Sequence, residues 1–467
     1  MTASLDKQAT AVALNRFGLG VRPEEPLPAD PKGWLLAQFE HYVALPAAWA
    51  GEPSSASHVV AYGEYLRALR QADAGSEQMV RRDAQMQMQT RYRAAVNARV
   101  TSALETPAPV AERLVHFWAN HFAVSIEKPP IAALAGAFEA EAIRPHVFGR
   151  FADMLLAVER HPAMLLYLDQ ARSMGPGSSA VMRLALANPQ RQRGLNENLA
   201  REILELHTLG VRSGYSQADV TEFARALTGW TIGGLPGLPF PARMDAVAPG
   251  HFAFQPLLHE PGARVVLGRR YEQRGEAQAV AILHELATTP ATAQHVATKL
   301  ARHFAGDTPP PALVERLADV FVRSGGDLPR LYQALIESSE AWTTTQAKFK
   351  TPWEWSLSSL RGLGVRNLSQ PIAPMLTQLG QPVWRPGSPA GYDDIADSWA
   401  APDALMRRVE VAERLAARAG SALDARALGP QLLPGGLSEA TAREISRAES
   451  PATALALLLA APEFLRR

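Results

Sequence analysis

The chain has 467 residues, 47% of them hydrophobic, with 47 basic side chains against 46 acidic ones and a net charge of +1. That length is ample for a sizeable core, and the near-neutral balance argues against a dedicated nucleic-acid binder, which carries a basic excess. The absence of cysteine excludes disulfides, thiol nucleophiles and cysteine-ligated zinc or iron–sulfur sites.

The opening MTASLDKQATAVALNRFGLG has no long apolar run behind a basic segment, so no signal peptide is expected. Cytoplasmic localisation is the expectation, with a periplasmic or exported protein as the alternative. Apolar residues recurring at steps of three and four then predict helix through most of the chain. Residues 64–104, rich in Arg, Gln and Met, read as one long helix or two with a solvated face. Further helices are expected over Val110 to Phe122, Ile131 to Ile143, His146 to Val158, Ala163 to Ala171, Leu195 to Leu209 and Ser216 to Gly229. Ser216 with Asp219 resembles a capping box, and Gly210 stands where a helix-ending glycine belongs. Residues 233–250 are rich in Pro and Gly and predict a loop. HFAFQPLLHEPGARVVLGRRY (251–271) is the best β candidate, with EPG as the turn between two strands and His259 and Glu260 at the hairpin tip. Helix resumes from Glu276, is broken by a loop over 380–394, and returns from Pro402 to Arg467. The longest apolar run, ALALLLAAP, is far short of the roughly 20 residues of a membrane span, so none is expected. The expected architecture is mainly α: one helical domain over 1–467, with sub-regions 1–232, 233–275 and 276–467, and a small β-hairpin insertion around 251–271.

Common catalytic signatures are absent. FGLG at 17–20 opens no strand–turn–helix unit, and HELAT at 284–288 has Thr288 where a zinc-binding helix needs its second histidine. GSPAG at 387–391 misplaces its serine for a nucleophile elbow. Four polar or aromatic groupings remain. In NENLAREILELHTLG (196–210), a helical step of 100° places Asn198, Glu202 and Glu205 on one face. The same step sets Glu197, Arg201 and Glu205 in an i, i+4 ladder of ordinary ion pairs, so a functional face and a structural ladder both stay open. HFWANHF (116–122) puts His116, Asn120 and His121 on a helix that is apolar on most sides, where polar groups must find partners. HEPGAR (259–264) places His259 and Glu260 on a loop. Six tryptophans (118, 230, 353, 355, 384 and 399) lie near Gly, Pro or polar residues, with Trp230 in LTGW the best candidate for a pocket wall.

These segments carry a family resemblance. LNRFGLG, HFWANHF, GRFADMLLAVERHPAMLLYLD, NENLAREILELHTLGV, FARALTGW, HEPGARVVLG, KFKTPWEW, LGQPVWRPGSPAG and SPATALALLLAAPEFLRR together make the chain similar, over nearly its whole length, to the bacterial DUF1800 family of unknown function. The family name carries no reaction. The resemblance implies functional positions at Asn120, His121, Asp169, Asn196 to Asn198, Arg201, Glu202, Glu205, Gly229 and Trp230. It also marks departures: His259-Glu260 and Arg264 stand where relatives have His-Asp and a lysine, and His207 stands where many have Phe, which makes it a poor catalytic candidate. Relatives are often exported and often encoded beside a sulfatase-like DUF1501 protein, which is the partner the resemblance implies.

The resulting expectation is an enzyme in which His121, Asp169, Glu202, Glu205, His259 and Glu260 converge on one pocket, with Asn120, Asn198, Arg201, Trp230 and Arg264 contacting substrate. Unlike carboxylates could divide acid and base roles in a hydrolase. Alternatively His121, Glu202, Glu205 and His259 would hold a divalent metal, Mn, Fe, Zn or Mg, that activates water. The competing class is a non-catalytic binding or assembly protein whose ion pairs are structural.

Overall fold

The computed structural model describes residues 2–187, 194–236, 247–343, 348–368 and 371–467. Among these, 21 α-helices surround two small antiparallel two-stranded sheets, so the protein is mainly α with a small β insertion. No helix among the described residues is long and apolar enough to cross a membrane. Most buried apolar side chains, from Val12 to Leu465, join in one continuous cluster, and Met174, Ala180 and Leu258 form a small second one.

The central helix is Pro109–His121. Proline at its start suits the first turn, whose N–H groups have no helical partner. Val110, Leu114, Val115, Phe117 and Trp118 are buried around its circumference, which places it inside the bundle. Trp118 packs on Phe122 and Phe151, and its indole N–H donates to the Tyr332 hydroxyl at 2.6 Å. Against this helix lie Pro290–Ala305, started by Thr289 accepting from the Thr292 N–H, and Pro352–Gly362, started by a Thr351–Glu354 capping box. The Arg/Gln/Met-rich stretch forms two helices, Ser55–Gln71 and Glu77–Glu105, separated where Asp73 accepts from the Ser76 N–H. The Ser216–Asp219 capping box is present and begins Gln217–Leu227.

The β segment folds differently from the expected hairpin. Phe252–Phe254 pairs with Trp230–Ile232, while Arg264–Val266 pairs with Arg269–Tyr271. The tight turn is at Leu267 and Gly268, with φ of 51° and 75°, the positive values that a two-residue type I′ turn requires. Leucine in that place gives no sequence signal. His259 and Glu260 therefore sit not at a hairpin tip but in the connection between the sheets, just after a 3₁₀ turn begun by Pro256. Of the Pro/Gly loop before them, 237–246 lies outside the described residues.

Candidate functional site

A cavity of about 230 Å³ opens where the end of Pro109–His121 meets Pro290–Ala305, the start of Pro352–Gly362 and the loop over 380–394. Asn120 fastens that loop. Its side-chain amide donates to the Tyr392 carbonyl and its oxygen accepts from the Tyr392 N–H, both at 2.8 Å. Gly391 makes the approach possible: its φ is +83°, and a Cβ there would lie 2.3 Å from the Asn120 carbonyl oxygen. The clamp brings Asp393 and Asp394 to the cavity wall.

Three histidines line the cavity, and their partners fix their tautomers. His303 Nδ1 lies 2.7 Å from an Asp394 carboxylate oxygen, so Nδ1 carries the proton and Nε2 holds a lone pair with no partner among the described residues. Lys348 steadies the same carboxylate at 3.1 Å and Asp307 at 2.8 Å. Burial lowers the His303 pKa although Asp394 opposes it, so the ring is neutral near pH 7. His121 donates through Nε2 to the His207 carbonyl at 3.1 Å, which leaves the Nδ1 lone pair without a described partner. Burial and the Lys299 charge hold its pKa well below the usual 6.5. His116 accepts from the Trp353 indole through Nδ1 at 3.1 Å, and burial with Arg99 pushes it to about 4.

Two of the four lysine and arginine side chains that line the cavity are neutralised. Arg99 lies over Trp353 and Trp384, at 4.4 and 5.3 Å from the ring centroids, and pairs with Glu139 at 2.7 Å. Arg113 pairs with Glu354, which Arg467 also meets at 2.8 Å. Two cations differ. Lys299 has no hydrogen bond or ion pair among the described residues, and burial lowers its pKa to about 8 against the pull of Asp394. Arg302, one turn further, bonds only the Asp307 carbonyl, at 3.3 Å, with no carboxylate on its guanidinium among the described residues.

Of the residues marked from sequence, Asn120 and His121 line this cavity together with His116, Trp353 and Trp384, while the other expected catalytic, substrate-binding and metal residues lie elsewhere. Asp169 is exposed, in a left-handed conformation, and pairs with Lys128 at 2.6 Å. Asn198 is exposed at a helix start. Glu197 pairs with Arg201 at 3.3 Å and accepts from Gln217 and Thr221. Glu205 accepts from the Tyr215 hydroxyl at 3.1 Å, and Glu202 is half-buried with its pKa raised by burial. The regular helix runs only from Asn198 to Glu202, and a π turn over Ile203–His207 then changes the angular step that would have put Glu202 and Glu205 on one face with Asn198. His259 bonds the Thr228 carbonyl through Nδ1 at 2.9 Å, and Glu260 accepts from the Gly177 N–H at 2.6 Å. Trp230 is wholly buried beneath Arg160, and Arg264 pairs with Glu222 at 3.3 Å. Among the described residues no three His, Asp or Glu side chains are grouped as a metal ion would need, so His121, Glu202, Glu205 and His259 are not brought together.

Lys299, Arg302, His303 and Asp394 were not singled out from sequence. Their only trace there is KLARH on an amphipathic helix and YDD in a Pro/Gly loop. His207, set aside as a poor candidate, is fully buried against Glu159 at 2.7 Å and supplies the carbonyl that orients His121.

No curated protein and no solved structure matches the chain. A family model described as "Protein of unknown function (DUF1800)" matches residues 12–466, so the chain belongs to the DUF1800 family.

Proposed function

We propose that the protein is an enzyme that works by proton transfer, of the hydrolytic kind, at the cavity between Pro109–His121 and Pro290–Ala305. The observation that carries this is the His303–Asp394 pair facing the same cavity as Lys299. Asp394 holds His303 in the tautomer whose Nε2 can take a proton, and burial keeps that ring neutral at pH 7. Lys299 is an ammonium at neutral pH and loses its proton near pH 8, so it can stabilise developing negative charge or return a proton to a leaving group. His121 Nδ1 offers an acceptor that orients a substrate hydroxyl or amine. On this reading, the polar segment 196–210 serves the site from behind: its π turn frees the Leu206 and His207 carbonyls to accept from His295 and His121.

The test is turnover of chromogenic esters, phosphate monoesters, amides and glycosides by the full chain and by His303→Gln and Asp394→Asn. Loss of a positioned general base should lower kcat about 10²- to 10⁴-fold on any substrate turned over. The kcat/KM profile should be a bell, with an acid limb below the usual histidine value of 6.5 and a basic limb near 8. Wild-type turnover in both variants would remove His303 from the chemistry.

A further inference from the structure

The cavity contains an imbalance of charge. Its arginines at 99 and 113 are matched by Glu139 and Glu354, and its Asp394 by Lys348, with the neutral His303 donating to the same carboxylate. Lys299 and Arg302 have no carboxylate within ion-pair distance among the described residues, although both line the cavity, and Lys299 meets Asp394 only as a longer-range attraction. They stand three residues apart on Pro290–Ala305, the spacing at which side chains of one helix are neighbours. Two like charges side by side in a confined, half-apolar space repel each other and have lost part of their hydration, which is costly unless an anion joins them. Of the other acidic groups near them, Asp307 pairs with Lys348 at 2.8 Å, and Asp393 is exposed and accepts from the Ser398 hydroxyl at 2.9 Å. On the same wall, His121 Nδ1 and His303 Nε2 are buried lone pairs with no N–H and no described partner, so they would accept from a donor and not bind an anion.

We infer that Lys299 and Arg302 form the recognition site for an oxyanion carried by the substrate, a carboxylate or a phosphate, with the substrate's reacting hydroxyl- or amine-bearing part reaching toward His121 and His303. The inference rests on the proposed function for the position of the reacting centre, but not for the anion site itself. A guanidinium presents paired N–H groups to two oxygens at once, while the lysine ammonium adds a point charge. The cavity wall therefore carries both cations and lone pairs. A ligand with an anion at one end and a proton donor at the other fits it, and a neutral or cationic ligand does not. The volume of about 230 Å³ limits that ligand to a small molecule.

The experiment is calorimetric titration of the full chain, at constant ionic strength, with inorganic phosphate and with acetate as separate probes. It uses wild type, Lys299→Met, Lys299→Arg, Arg302→Met and His303→Gln. Saturable binding of at least one probe at one site per chain is expected, and which probe binds decides between tetrahedral and planar oxyanions. Lys299→Met and Arg302→Met should each weaken binding about tenfold, the scale of one lost charge-assisted hydrogen bond. Lys299→Arg should retain binding, which separates loss of charge from loss of fold. His303→Gln should bind the probe as wild type does while failing in turnover. Equal affinity in wild type and in both methionine variants, or no saturable binding of either probe, overturns the anion site whatever the turnover assays show. Turnover that survives in His303→Gln overturns the proposed chemistry and leaves the anion site standing.

Discussion

The substitution Glu112→Gln tests whether the floor of the cavity is held by a buried ion network. Arg144 grips Glu112 with two N–H groups, one of them at 3.0 Å, and also reaches Glu139 at 3.2 Å. Glu112 and Arg144 are both buried, and Glu112 lies 3.5 Å from His116 in the cavity wall. Burial by itself would raise the Glu112 carboxyl, but Arg144 and His116 bring it down from 4.5 to about 2. At ~1.4 kcal/mol for each tenfold change, that lowering is equivalent to about 3 kcal/mol of folding stability. Because the folded value is the lower one, the contribution is complete above about pH 4.5 and is lost as pH falls toward 2. Removing one partner of a buried pair costs a comparable ~3–5 kcal/mol. Urea unfolding of wild type and Glu112→Gln at intervals from pH 6 to pH 3 should show a gap of about 3 kcal/mol at the upper end, falling by roughly half at pH 3. A gap independent of pH, or one below ~0.5 kcal/mol throughout, would mean that the Glu112–Arg144 contact does not operate as a buried charge pair.

Lys299 should react with an amine reagent such as trinitrobenzenesulfonate with half-maximal rate near pH 8, read by peptide mass spectrometry; a midpoint at the ordinary lysine value of 10.5 would refute its buried setting. Gly391→Ala forces a side chain into a positive-φ position against the Asn120 carbonyl, and should lower stability by ~1–2 kcal/mol in thermal unfolding. A loss within a few tenths would show that the loop is not pinned there. Tyr332→Phe strips the fully buried Trp118 indole N–H of its acceptor and should cost ~1–3 kcal/mol, against near-neutrality if Trp118 finds another acceptor.

Local features of the chain were legible because local rules govern them. The Ser216–Asp219 box, the helix over 110–122 and the buried setting of His121, with Asn120 half-buried beside it, all follow from periodicity and capping. The hairpin misled because its turn uses leucine at positive φ, while EPG carries a turn composition without forming the hairpin turn. Residues 196–210 misled for a different reason. A carboxylate on a helix looks the same in sequence whether it meets a substrate or a neighbouring side chain, and a π turn shifts every later residue to another face.

The same ambiguity hid the cavity. Lys299, Arg302 and His303 have the spacing of a solvated helix face, and nothing within their helix distinguishes them from one. They become chemically distinct only when Asn120 draws the Tyr392 backbone onto the central helix and Asp394 comes to rest on His303. The contact fixes the tautomer of His303, while burial in the same wall keeps that imidazole neutral and lowers Lys299 toward pH 8, both against the pull of Asp394. The asparagine is therefore a positioning residue: it touches neither charge directly, yet the loop that completes the pair is held by it. Selection on Asn120 and on Gly391 should be coupled, because each is of use only with the other, and a chain that changes one without the other would keep its helices and lose the arrangement of His303 and Asp394.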